Sequence, residues 1–359
     1  MKKKLLVLLM SFMLGSPMTQ AEIVERNVQF FNGELKFGGT LTLPDTTKNY
    51  PVILLVSGSG QQNRDEEIYG FKIFKQIADY LAGEGIATLR YDDREVGESK
   101  NGKNTLDTAT TYTFATDAMA AVKYLKTAEN VDKSRIAVLG HSEGGLIAAM
   151  VAAENPKDIK CIAMMSGMCI AGKDINNFQI RAINKEAGIS DAQIAKALQL
   201  QNMIYEAIEQ GKSGKDMEDV IYDVTLKSID LMPEEAKKDI VNGEEYARFV
   251  AKNQTKQIAS AWYRYYVTHY PKQDFEKVQC PTLAMFGLKD TQVPAQLCKR
   301  PMQSYFSNRG KLLTIIEFPT ANHLFQDAET GSVSEYPKLK KEFTSSFFKH
   351  LGEWLKVNL

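Results

Sequence analysis

Apolar positions recur with two different periods along this chain, and the change of period marks out its elements. Residues 27–31 and 34–44 alternate apolar with polar around Asn32-Gly33, the signature of a β-hairpin, with Asn-Gly supplying the positive backbone angles of a type I′ turn. Short, continuously apolar runs follow at 51–56, 86–91, 135–139, 161–165, 281–286 and 312–318, as expected of strands covered on both faces. Between them lie stretches with helical spacing at 71–81, 116–126 and 146–153. Residues 341–355 close the chain as an amphipathic helix with Phe343, Phe347, Leu351 and Trp354 on one face. Strand and helix alternate, which predicts a three-layer α/β fold on a mostly parallel eight-stranded sheet with an N-terminal antiparallel hairpin.

The segment between residues 165 and 281 has a different character. Ser190-Asp191-Ala192-Gln193 reads as a capping box, Ile194, Leu198, Tyr205 and Ile208 recur near helical spacing, and Pro233 is placed to open a further helix. An all-helical cap inserted between two core strands is the expectation. It divides the chain into 22–170 and 271–359 for the core and 171–270 for the cap.

Charge and composition exclude more than they suggest. With 44 basic and 44 acidic residues in 359, there is no net field to attract nucleic acid or an anionic membrane. Met1-Lys2-Lys3-Lys4, the apolar run 5–14 and Thr19-Gln20-Ala21 match the three regions of an export signal, predicting cleavage after Ala21 and a periplasmic or secreted protein without a membrane span. Export would permit disulfides among Cys161, Cys169, Cys280 and Cys298, with Cys161–Cys280 as the pair to consider. Buried free thiols are the simpler expectation, and the cysteine spacing matches no zinc pattern.

Candidate chemistry centres on Gly140-His141-Ser142-Glu143-Gly144-Gly145. Gly-x-Ser-x-Gly here lies between a short aliphatic strand and a helix of small residues, where a tight turn holds a serine hydroxyl above the sheet. A serine nucleophile needs a histidine base and an acid to orient it. Of the 4 histidines, His141 precedes the serine and is read as a packed residue pointing away from the base position, while His269 and His350 belong to helices or their edges. His323 follows the last strand at the carboxyl edge of the sheet, where open α/β sheets carry their ligand sites. Asp290 follows the preceding strand. Ser142, Asp290 and His323 thus stand in the order nucleophile, acid, histidine. Asp92, Asp93, Glu143 and Asp327 are other acids to weigh, with Asp93 the main rival.

These segments together resemble the α/β-hydrolase superfamily. In finer detail Gly58-Ser59-Gly60, Asn63-Arg64-Asp65-Glu66, Arg90-Tyr91-Asp92-Asp93-Arg94, the elbow and Asn322-His323-Leu324-Phe325-Gln326 resemble exported bacterial serine esterases of the dienelactone-hydrolase-like and prolyl-oligopeptidase-like group. Glu95 departs from the pattern, standing where such sequences carry Arg-Gly-x-Gly. The resemblance implies an α/β-hydrolase sandwich with a helical cap and an oxyanion hole from the backbone N–H groups of Glu143 and Ser59. Gly58, Gly140 and Gly144 support that site, and Arg64 pairs with Glu143 or Asp65. It further implies cleavage of small acyl or acetyl esters, of sugars or plant-derived compounds for example, through an acyl-enzyme, with no metal or organic cofactor. A prolyl-oligopeptidase-like serine peptidase and a thioesterase or acyltransferase stay open as alternatives.

Overall fold

The computed structural model describes residues 23–101, 105–310 and 312–359; the segment read as an export signal lies outside them. Strands β1 (Val24–Asn32) and β2 (Leu35–Leu43) form the hairpin. Asn32 still pairs with Leu35, so the two-residue loop is Gly33-Glu34, one position later than the sequence pattern predicts. Only Gly33 takes a positive φ (60°), which suits the glycine-first type II′ loop and corrects the type I′ expectation. The reason is Asn32 itself: its amide donates to Asp117 Oδ1 at 2.7 Å and Thr116 Oγ1 at 3.1 Å, which holds it in the strand.

Six further strands complete the sheet: β3 (Tyr50–Val56), β4 (Ala87–Tyr91), β5 (Val131–His141), β6 (Ile159–Met165), β7 (Thr282–Gly287) and β8 (Leu313–Phe318). Their order across the sheet is β1-β2-β4-β3-β5-β6-β7-β8. All pairs from β4 to β8 are parallel, and the hairpin joins antiparallel through β2 against β4. This is the eight-stranded, mostly parallel sheet that the apolar runs predict. Strands buried on both faces place one apolar layer around Leu54, Val138 and Ile162 and a second around Ile53, Leu139 and Phe318.

The helices α1 (Ile73–Gly83), α2 (Thr111–Leu125) and α3 (Glu143–Glu154) cover the sheet. Helix α2 begins earlier than periodicity predicts, because Thr110 and Thr113 form a reciprocal capping box with Thr in the place usually taken by Glu or Gln. Between β6 and β7 run α4 (Gly172–Glu186), α5 (Asp191–Glu209), α6 (Gly214–Ile229), α7 (Gly243–Ile258) and α8 (Ala261–Thr268). Ser190 and Gln193 cap α5 reciprocally, and Pro233 precedes a single four-residue turn of helix. Leu200, Ile204, Ile208, Ile221 and Ala251 give these helices an apolar core of their own. After β7, α9 (Ala295–Tyr305) packs against the sheet.

The terminal helix α10 spans Phe347–Asn358, so its first predicted turn is not helical. Phe343 nevertheless reaches the same apolar face from the preceding loop, stacking on Phe347 with ring centroids 4.2 Å apart. All four cysteines are free and buried, which removes the Cys161–Cys280 bridge. No helix among the described residues is long and apolar enough to cross a membrane.

Candidate active site

The nucleophile candidate sits on a strained turn. Strand β5 runs through His141 and α3 starts at Glu143, leaving Ser142 alone at φ 54°, ψ −118°. A non-glycine residue pays for such a conformation with about 1–3 kcal/mol, and strain of this kind clusters at functional positions. Two glycines make the turn possible. A Cβ on Gly140 would lie 1.9 Å from the Gly144 carbonyl oxygen, and one on Gly144 would lie 2.1 Å from that of Val56. Strand, turn and helix therefore touch backbone to backbone.

Asp290 and His323 meet as the chain order implies. Asp290 follows β7 and His323 follows β8, both at the carboxyl edge that carries Ser142. Asp290 Oδ2 lies 2.8 Å from His323 Nδ1. The other carboxylate oxygen accepts the backbone N–H groups of Gln292 (2.7 Å) and Val293 (2.9 Å). Both carboxylate oxygens are thereby held, and the bond at Nδ1 orients the ring. The Nε2 edge of His323 has no hydrogen-bond partner among the described residues, and the residue lines the same cavity as Ser142.

The Ser57-Gly58-Ser59 turn borders that cavity after β3. The Gly58 N–H donates to Glu66 Oε1 at 2.8 Å, whereas the N–H of Ser59, the next residue, has no partner among the described residues. Asp93 clamps both ends of the turn, accepting from Ser57 Oγ at 2.8 Å and from the Gln62 N–H at 2.9 Å. Burial pushes the Asp93 carboxyl up to about 8, against its hydrogen bonds, and the neighbouring Glu66 and Glu143 charges add to the rise. The Glu143 N–H, at the first position of α3, has no acceptor within its own helix.

Several side chains go elsewhere than the sequence reading places them. Arg64 pairs with neither Glu143 nor Asp65: its guanidinium holds Asp92 at 2.6 Å and Glu98 at 2.7 Å, while Asp65 pairs with Arg90. Asp92 lies in the next strand's loop, within reach of both the Arg64 side chain and its backbone N–H, so local geometry wins. Asp92, Asp93 and Asp327 make no hydrogen bond to His323 among the described residues; Asp327 accepts from Thr320. His141 is buried as expected, yet it does not point away from the base. Its ring centroid lies 4.8 Å from that of His323, with Nε2 3.1 Å from the His323 carbonyl oxygen and Nδ1 2.8 Å from Glu66 Oε1. Glu95 adopts φ 61° where a glycine would be at ease, and Thr105 Oγ1 donates to its carboxylate at 2.8 Å.

Sequence reasoning missed two contributors. Glu66 carries no local signal beyond its place in Asn63-Arg64-Asp65-Glu66, since its partners are 8 and 75 residues away. The buried Glu143 carboxylate accepts from Thr111 Oγ1 at 2.6 Å and from the Trp262 indole N–H at 2.9 Å, a contact across 119 residues.

The cavity above Ser142 and His323 measures about 460 Å³. Its walls come from the Ser59 turn, from Trp262, Tyr263 and Tyr266 of α8, from Asn176 and Gln179 of α4, and from Gln292 and Tyr336. Among the described residues no lysine, arginine or aspartate lines it, and the one carboxylate there is Glu66. Among the described residues no group of His, Cys, Asp and Glu is placed to hold a metal ion.

A strained serine between strand and helix, with an aspartate-bound histidine on the same sheet edge, defines a protein of α/β-hydrolase fold. Comparison with known proteins gives its place within that fold. Residues 70–323 match the family described as serine aminopeptidase, S33, and the chain belongs to that family. Esterase EstD of Thermotoga maritima is 40% identical over 124 residues, covering 33% of this chain and 28% of that protein. The match thus spans less than a third of the relative's length. Among solved structures, an esterase of Pyrococcus furiosus superposes with a TM-score of 0.54 at 15% identity, over 94% of this chain and 91% of the other. A hypothetical protein of Pseudomonas aeruginosa gives 0.54 at 16% identity, over 99% and 100%. At these identities the structures attest the fold.

Proposed function

We propose that this protein is a serine hydrolase of carboxylic esters, with Ser142 as nucleophile, His323 as general base and Asp290 as the acid that orients it. The observation that carries the reading is the strained Ser142 sharing one cavity with a His323 whose Nδ1 is held 2.8 Å from Asp290. Ser142 attacks the acyl carbonyl as His323 Nε2 takes its proton. The oxyanion is met by the backbone N–H groups of Glu143 and Ser59, and a water activated by His323 then releases the acyl group. The partial match to Esterase EstD supports the ester as substrate. A cavity lined, among the described residues, by no lysine or arginine favours uncharged acyl esters over anionic ones such as coenzyme A thioesters.

The family description favours a second reading, an aminopeptidase. Holding a substrate's free α-ammonium calls for an available carboxylate in the cavity. Glu66 is the one present among the described residues, and it is buried and faces His141 at 2.8 Å, which leaves it poorly placed to hold a substrate ammonium. Residues 171–270 act in this reading as the cap that closes the acyl pocket. The chain is exported, with cleavage after Ala21, and N-terminal sequencing of the mature protein checks that point.

A panel of chromogenic acyl esters and aminoacyl amides, with Ser142→Ala and a fluorophosphonate probe, tests the function. Ester turnover and labelling that both vanish in Ser142→Ala are expected. Amide turnover exceeding ester turnover would install the peptidase, and labelling that persists in Ser142→Ala would remove Ser142 as the nucleophile.

A further inference from the structure

Behind the Asp290–His323 pair lies a second histidine–carboxylate pair that the mechanism above leaves unused. Glu66 and His141 are both buried, at 0% and 2% exposure. Glu66 sits at φ 44°, a left-handed conformation unusual for glutamate, which turns its side chain inward beneath the Ser59 turn. One oxygen, Oε1, accepts the Gly58 N–H and meets His141 Nδ1, each at 2.8 Å, and Oε2 is buried without a partner among the described residues. His141 Nε2 faces the His323 carbonyl oxygen at 3.1 Å.

Both partners of the His141 ring are acceptors, a carboxylate and a carbonyl. The carbonyl can only accept, so Nε2 carries a hydrogen, and with the ring's pKa raised beside Glu66 the second hydrogen sits at Nδ1: the ring is an imidazolium and Glu66 its counter-charge. Through these contacts the pair touches three separate segments. Gly58 immediately precedes the Ser59 N–H, His141 immediately precedes Ser142, and the His323 carbonyl belongs to the base itself.

Resting on the triad reading, we infer that Glu66 and His141 are positioning residues, an ionised pair that sets the oxyanion turn, the nucleophile and the base in mutual register. A misplacement of about 1 Å at such a site lowers turnover about a hundredfold. Burial opposes the His141 charge, but the Glu66 charge and bond, the His323 carbonyl and the nearby Asp290 together raise its pKa. Asp93 is the other acid close to Glu66. The ring therefore stays charged where an ordinary histidine is neutral.

Glu66→Gln tests this, since glutamine keeps an acceptor at Oε1 for the Gly58 N–H but removes the counter-charge. His141 then loses its proton as pH rises, and an unprotonated Nε2 faces the His323 carbonyl. The expected result is a kcat about ten- to a hundredfold lower with KM within about threefold, and a variant-to-native kcat ratio that falls further as pH rises from 5.5 to 9. His141→Gln, whose amide can still donate to the His323 carbonyl, should retain more activity than His141→Leu. A pH-independent ratio, or equal losses in Gln and Leu at position 141, would overturn the inference while leaving the triad intact. Loss of fluorophosphonate labelling in Ser142→Ala reports on the triad separately. Matching thermal unfolding midpoints for the glutamine variants exclude misfolding; should Glu66→Gln fail to fold, the paired His141 variants decide alone.

Discussion

The indole N–H of Trp262 donates to the Glu143 carboxylate at 2.9 Å, joining helix α8 to the residue that follows Ser142. In the proposed mechanism one residue thus serves the oxyanion with its backbone, while its side chain holds the cavity wall. Trp262 stacks on Tyr266 with centroids 5.2 Å apart, so the contact extends into the aromatic wall.

Replacing Glu143 by leucine leaves a buried donor, Thr111 Oγ1, and a half-buried one, the Trp262 indole N–H, without an acceptor. The expected loss is about 1–3 kcal/mol of stability, together with a KM that rises more for bulky acyl esters than for acetate. Glu143→Gln keeps an acceptor and should recover most of both. Denaturant unfolding followed by tryptophan fluorescence reads the first effect, and ester kinetics the second. Equal behaviour of the two variants would mean the bond to Trp262 has no part in holding the wall.

Asp290→Asn should lower kcat by about 10⁴, because the amide favours the wrong tautomer of His323. Asp93→Asn should lower it by less than about tenfold, since Asp93 touches the Ser57 turn and not the base. Steady-state rates on one chromogenic acetate compare the two. A larger loss at position 93 would transfer the acid's role to Asp93.

Asp93 also links stability to pH. Its folded carboxyl titrates at about 8 against an ordinary value of 3.8. Between those values the folded chain holds a proton that the unfolded chain has released, so this group's contribution to stability declines as pH rises across the window. Asp93→Asn removes that slope. Its melting temperature relative to the native protein should therefore climb from pH 4 to pH 8, and a difference that stays flat would contradict the raised value.

Gly144→Ala puts a methyl group 2.1 Å from the Val56 carbonyl oxygen, between two backbones that cannot separate without opening β3 from β5. A loss of about 3 kcal/mol or more is expected, with abolished turnover, measured by calorimetry and ester assay on the purified variant. A native-like melting temperature would show that the elbow relaxes more easily than its packing indicates.

How far the sequence reaches can be judged from these residues. Strands buried on both faces announce themselves as unbroken apolar runs, and Gly-x-Ser-x-Gly lies where a strand must give way to a helix. The sheet and the serine turn were therefore legible, as was the relation of Asp290 to His323 through their places after successive strands. Side-chain partners set by tertiary approach were not. Arg64 turns to Asp92 because β4 delivers that loop beside it, and Glu66 meets His141 only once the elbow has folded over the Ser59 turn. Trp262 reaches Glu143 from a helix whose orientation no periodicity encodes. The hairpin loop lies one residue beyond the place its Asn-Gly pair indicates for a similar reason, since α2 claims the Asn32 amide.

The long helical stretch between β6 and β7 also separates the site in time. Ser142 and the turn that faces it are complete early in the chain, whereas Asp290 and His323 lie in the loops after the last two strands to be synthesised. In the mechanism proposed above, a nascent chain carries its serine without a base, and it stays inert until β7 has paired with β6 and β8 with β7. On that mechanism activity reports that the chain has been made at least as far as His323, and a truncation before it should yield a protein with an elbow and no ester turnover.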